Sequence, residues 1–262
     1  MLSCRAIYDL LLNAGVDFFA GVPDSLLKDF CAYVTDHTDP SQHIIAANEG
    51  SAVALAAGHF LASGRMGLVY LQNSGQGNAI NPLMSLADPE VYSIPMILLI
   101  GWRGEPGKHD EPQHVKQGKV TLVLLEAMGI EFAVLPTETD VAVATIQSGI
   151  DKARQTAAPF ALVVRKGTFE PYKLRQDFNN NYPMSREHAI HLIADGIASR
   201  DIIVSTTGKT SRELFEHRLA TGHDVGRDFL TVGSMGHASQ IALRIAECRP
   251  DRQVFCVDGD GA

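Results

Sequence analysis

Short apolar runs of strand type alternate with helical segments along the whole chain, and this alternation is what most restricts its fold. The runs lie at 17–20, 43–46, 66–71, 93–100, 160–164, 201–205, 228–231 and 253–257. A strand that leads through a helix into the next strand builds a parallel sheet with helices on both faces. The run at 93–100 is strongly apolar, so it is predicted to be a central strand, covered on both sides. The expected class is α/β, with doubly wound parallel sheets.

The helical segments carry their own punctuation. In 3–14, Ala6, Ile7, Leu10, Leu11 and Ala14 share one side, and Gly15 ends the helix. Asp24 or Ser25 is expected to cap a helix reaching about residue 36. Asn48 caps a small-residue helix that opens with Glu49, and its stretch 51–58 reads as buried all round. After the tight turn 73–77, one helix is expected to run to about residue 87. The one composition shift lies at 166–183, which is polar, holds two prolines and includes Asn179-Asn180-Asn181. It divides the chain into a domain at 1–166, a linker at 167–184 and a second domain at 185–262. The first domain has strands enough for a complete sheet, whereas the second has three, fewer than the usual five or six.

A net charge of −8 argues against nucleic acid or an anionic membrane as partner, while leaving room for a local basic pocket. Cys4, Cys31, Cys248 and Cys256 form no CxxC pair, and three lie in apolar stretches. They are expected to be reduced core residues of a cytoplasmic protein. No start of signal-peptide type and no apolar run of membrane-spanning length occurs.

In open parallel sheets, ligands bind outside the carboxyl ends of the strands. The loops there are 21–25, 46–49, 72–78, 101–116, 206–211, 232–237 and 258–261, and each is rich in glycine, polar or charged residues. The turn 206–211 leads a strand into a helix, which makes an anion site of free N–H groups and a favourable dipole. It contains Gly208-Lys209-Thr210, but a P-loop needs glycine at 203, where the chain has Ile. Gly233-Ser234-Met235-Gly236-His237 is a second turn of this kind. Glu49 opens an apolar helix, where a buried carboxylate needs a partner or a task. The loop 101–116 is aperiodic and holds Arg103, His109, His114 and the only Trp. The final strand leads into Asp258-Gly259-Asp260-Gly261, an acidic turn that suits a hard cation.

Together these residues resemble the thiamin diphosphate-dependent 2-oxo acid decarboxylases. Ala47-Asn48-Glu49-Gly50 matches the family's key glutamate after a short strand, and Gly259-Asp260-Gly261 matches the start of its metal motif. Met235 lies 25 residues before Asp260, where the family places a bulky apolar residue in a Gly-x-Met-Gly turn. The likeness extends through 21–27, 72–82, 85–104, 110–118, 211–215 and 228–239.

The resemblance implies a pyrimidine-binding domain at 1–166 and the front part of a diphosphate-binding domain at 185–262. Glu49 would hydrogen-bond the cofactor's aminopyrimidine and share a proton with it. Gly208, Lys209, Thr210, Gly233, Ser234, Gly259, Gly261 and Gln76 would contact thiamin diphosphate, and Met235 would hold it bent. Asp260 would bind Mg2+. Ser25, Arg103, His114 and His237 are the expected contacts for a small anionic 2-oxo acid substrate. The family places the cofactor between two chains, so a homodimer or higher homo-oligomer is implied. The family's motif continues past residue 262 to an asparagine. The further expectation is that these 262 residues alone bind the cofactor poorly and are inactive.

Overall fold

The computed structural model describes residues 1–175 and 182–259, in two compact units divided at Gln176/Asp177. In the first unit the order is α1 (Cys4–Asn13), β1 (Val16–Gly21), α2 (Lys28–His37), β2 (His43–Ile45), α3 (Glu49–Ser63) and β3 (Met66–Gln72). A short turn then leads into α4 (Gln76–Pro82), β4 (Ile97–Gly101), α5 (Pro112–Ala127), β5 (Glu131–Val134), α6 (Thr139–Thr156) and β6 (Phe160–Val164). All six strands are parallel, in the spatial order β2-β1-β3-β4-β6-β5.

The apolar alternation of each strand divides between the two faces of the sheet. Phe19, Leu68, Tyr70, Ile97 and Leu99 join the core under α1, α2 and α6, while Phe18, Val69, Leu71, Leu98 and Ile100 join the core under α3 to α5. Every residue of β4 is buried, as the apolar run predicted, and the double winding follows from helices covering both faces.

The second unit holds α7 (Arg186–Gly196), β7 (Ile202–Ser205), α8 (Lys209–Ala220), β8 (Phe229–Leu230), α9 (Ala238–Cys248) and β9 (Val254–Val257). Its sheet is parallel with the order β8-β7-β9. A fully buried ion pair, Arg218 Nε to Asp228 Oδ2 at 2.8 Å, braces α8 against the start of β8.

Several expectations need correction. Neither Asp24 nor Ser25 caps α2. Asp24 Oδ2 instead accepts from the Leu26 and Leu27 amides in a turn that precedes it, and the helix starts at Lys28. Helix α3 is not buried all round, because Ser51, Ala54, Gly58 and Leu61 are exposed while Ala52, Val53, Ala56 and Ala57 face the core. Helix α4 ends at Pro82 and passes into a wider π turn at Leu83–Ala87. Strand β4 starts at Ile97, after Pro95. The aperiodic loop after it ends at Pro112, which opens α5.

Residues 167–175 are not linker. Leu2 and Phe169 form a parallel bridge, Phe169 stacks on Phe30, and Tyr172 Oη hydrogen-bonds Asp36. Cys4 and Cys31 are buried as expected, but Cys248 and Cys256 are exposed.

Candidate active site

In the first unit the chain steps from β1 outward to β2, then returns to the other side of β1 for β3. The loops after β1 and β3 therefore part at a topological switch point, where open α/β sheets form their crevice. Glu49 is brought to this place from the loop after β2. Asn48 adopts extended backbone and its Oδ1 accepts from the Ser51 amide at 2.9 Å, which starts α3 with Glu49 as its first residue. Glu49 is 7% exposed, and its Oε2 accepts from Asn78 Nδ2 at 2.7 Å. A Cβ on Gly75 would collide with Glu49 Oε1, so only glycine leaves the carboxylate room there. The carboxylate is thus held between the first turns of α3 and α4, where both helix dipoles favour negative charge.

Gln76 does not open onto this crevice. It is 1% exposed, donates to the Thr121 carbonyl of α5 at 3.3 Å, and its Oε1 has no partner among the described residues. Beside it Asn73, which the sequence reading did not single out, fastens two loops together. Its Nδ2 lies 2.8 Å from both the Arg103 carbonyl and Thr121 Oγ1, and its Oδ1 accepts from the Arg103 amide at 3.1 Å. An amide residue directly after an apolar strand was the available signal.

In the loop after β4, Arg103 is not a free cation. Its guanidinium forks onto Asp110 and donates to Ser25 Oγ at 3.0 Å. The structure therefore unites Ser25 and Arg103. Arg103 holds the Asp110 carboxyl well below the usual carboxylate range, aided by the Gly104 amide. Burial pushes the Asp24 carboxyl up, while the Leu26 amide and Arg103 pull the other way. His114 lies in the first turn of α5 with Nδ1 buried and without a partner among the described residues. Burial, then Arg103, holds its imidazole below the ordinary range. Trp102 is pinned by its Nε1 donating to the Gly118 carbonyl at 2.8 Å. A cleft of about 660 Å³ opens beside Trp102, between Ser25, Arg103, Lys108 and Lys166.

In the second unit, Gly208 precedes α8 with φ 90°, a conformation that glycine adopts without strain. Ser211 anchors this turn, its Oγ lying 2.7 Å from the Thr206 carbonyl and 2.9 Å from that of Thr231. Lys209, Thr210, Met235 and Gly259 line one cleft of about 490 Å³, with Thr206 and Asp258. Met235 is 47% exposed, on a turn with positive φ at Ser234 and Gly236, so it is no core filler. Of the Gly233–His237 turn, Met235 reaches the cleft, while His237 is exposed with Nδ1 near Ser234. Asp258 Oδ1 accepts from the Gly259 amide at 3.0 Å, and its Oδ2 is buried without a partner among the described residues. Asp260 and Gly261 lie outside the described residues.

This donor set fits a diphosphate: a helix start, Thr206, Thr207 and Thr210, and a lysine. The orphaned Asp258 oxygen in the same cleft fits a nearby cation. Glu49 fits a partner that carries a protonated ring nitrogen.

The family model described as the thiamine pyrophosphate enzyme, N-terminal TPP binding domain, matches residues 3–125. A phosphonopyruvate decarboxylase of Streptomyces hygroscopicus is 32% identical over 281 residues, covering 100% of this chain and 67% of its own length. The same-named protein of Streptomyces viridochromogenes is 33% identical over 276 residues, covering 96% of this chain and 65% of its own. The sulfopyruvate decarboxylase subunit alpha of Methanococcus maripaludis is 36% identical over 132 residues, covering 50% of this chain and 76% of its own. The chain thus spans about two thirds of the length of the Streptomyces relatives.

Proposed function

We propose that this chain, which belongs to the thiamin diphosphate-dependent decarboxylase family and has its fold, takes part in converting 3-phosphonopyruvate to phosphonoacetaldehyde and CO2. The observation that carries the reading is Glu49, clamped by Asn78 and Gly75 at the start of α3, in a chain matched end to end by a phosphonopyruvate decarboxylase. Sulfopyruvate is the second reading, because a sulfopyruvate decarboxylase subunit matches half the chain and a sulfonate is nearly isosteric with a phosphonate.

Thiamin diphosphate, when bound, supplies the electron sink for the carboxyl carbon's bonding pair. Glu49 hydrogen-bonds its pyrimidine ring and shares the proton there. Gly208, Lys209 and Thr210 hold the diphosphate through the α8 start, with Gly233, Ser234, Gly259 and Gly261 giving close backbone approach. Met235 supports the cofactor from the exposed turn. Asp260 ligates Mg2+. Gln76, being buried, supports α5 in place of touching the cofactor. Ser25 and Arg103 act on the substrate side, with His114 behind them and His237 on the second unit.

A homodimer or larger homo-oligomer is the proposed assembly, supported by the exposed small-residue face of α3. Four free thiols support a reducing, cytoplasmic setting. Among the described residues no helix is long and apolar enough to cross a membrane.

The test is Glu49→Gln in the whole protein. We expect kcat to fall about 10²- to 10⁴-fold with thiamin diphosphate still bound, and unchanged kcat would refute the role. Stripping Mg2+ with a chelator is expected to abolish turnover, and added Mg2+ to restore it.

A further inference from the structure

The chain carries a net charge of −8, yet one cleft of the first unit collects positive charge. Its lining includes Arg103, Lys108, Arg165 and Lys166 against only two carboxylates, Glu105 and Asp110. The two carboxylates are both taken by arginines. Asp110 holds Arg103, and Glu105 Oε1 lies 2.9 Å from Arg165 Nε, while the Arg165 guanidinium also stands 6.0 Å from the Trp102 ring centroid. Lys108 and Lys166 form no ion pair among the described residues. Two uncompensated charges therefore face one opening.

The backbone places this opening with care. Lining residues come from the loops after β1, β4, β5 and β6, all at the carboxyl edge of the sheet. Ser25 Oγ accepts from Arg103, which leaves its own O–H free to donate toward the cleft. The volume of about 660 Å³ takes a three-carbon acid with a tetrahedral end group easily. The ion pairs with Asp110 and Glu105 order the two arginines, so that the lysines meet an anion beside an already ordered wall.

We propose that this cleft is the subsite for the dianionic tetrahedral end of the substrate, a phosphonate, with Lys108 and Lys166 as its charge partners and Ser25 as hydroxyl donor. The proposal rests on the substrate reading above. It transfers the charge-pairing role from Arg103, which Asp110 occupies, to lysines that the sequence left in an aperiodic loop and at a strand end.

Methylphosphonate is the probe, titrated by calorimetry into the whole protein without cofactor. Binding should weaken roughly five- to tenfold in Lys108→Gln and in Lys166→Gln, and by the product of the two in the double variant. The double exchange to arginine should retain affinity within about threefold, and Lys173→Gln, an exposed lysine outside the cleft, should change nothing. In turnover, the preference for phosphonopyruvate over pyruvate in kcat/KM should fall by the same factor. Wild-type methylphosphonate affinity in the double glutamine variant would overturn the proposal. So would binding lost only in Lys209→Gln, which would assign the anion to the α8 turn. A protein without decarboxylase activity that still loses methylphosphonate with these lysines would support the subsite and sink the reaction assignment alone.

Discussion

Glu49 and the glycine beside it set the tightest constraint at the scale of single residues. A methyl group at position 75 would occupy the place of the Glu49 carboxylate. We therefore expect Gly75→Ala to lower kcat by at least about tenfold, as a misplaced catalytic group does, while the melting temperature moves far less. Equal loss in both would mean that Gly75 serves folding only.

His114 gives a pH signature. Its imidazole is held below the ordinary range by burial and by Arg103, so the unfolded chain takes up the proton first as pH drops. Its stability contribution is present above the ordinary histidine value of about 6.5 and is lost as pH falls through that value toward the folded one. His114→Gln should flatten this part of the stability-versus-pH curve measured by urea unfolding. An unchanged slope between about pH 5 and 7 would contradict it.

At this scale Glu49 was legible, because a capping Asn precedes it and apolar residues follow. Arg103 was not, since its partner Asp110 lies seven residues on in a loop without periodicity. Sequence shows the charges of such a loop without their pairing.

At the scale of elements, the alternation of apolar runs and helical stretches foretold both parallel sheets, because period and length separate strands from helices. The boundaries that shifted did so for local reasons. Pro95 delays β4, Pro112 opens α5 inside what read as a loop, and the Asp24 side chain spends its acceptor on a turn before α2. The segment 167–175 reads as linker from its composition, yet Phe169 and Tyr172 find an aromatic surface on α2 that no local pattern announces. Asn73 joins the ends of β3 and β4 to α5 through three hydrogen bonds. Asn73→Ala strands the Arg103 carbonyl and leaves the Arg103 amide only its bond to the Gly101 carbonyl, so we expect a loss of about 1–3 kcal/mol in unfolding free energy, read by urea denaturation. A change below about 0.5 kcal/mol would show that water replaces the amide.

At the scale of the whole molecule, the outer face of α3 matters most for assembly. Its small residues predict a helix buried all round. The structure turns one side of them outward, with Ser51, Ala54 and Gly58 exposed along a shallow groove and Leu61 exposed on the same helix. A face that close-packs another helix needs the same small residues as a core, which is why composition could not tell the two apart. If this face joins two copies, Ala54→Arg should convert the oligomer to monomer in sedimentation velocity without altering far-ultraviolet circular dichroism. An unchanged sedimentation coefficient would remove α3 from the interface.

The central claim is that Glu49 and the α8 turn serve a thiamin diphosphate-dependent decarboxylation of a small anionic 2-oxo acid. Steady-state CO2 release by the whole protein tests it most directly, with phosphonopyruvate, sulfopyruvate and pyruvate compared in the presence and absence of thiamin diphosphate and Mg2+. The account predicts turnover only with the cofactor present, kcat/KM highest for phosphonopyruvate and lowest for pyruvate. Release that is independent of thiamin diphosphate, or equal for all three acids, would contradict it.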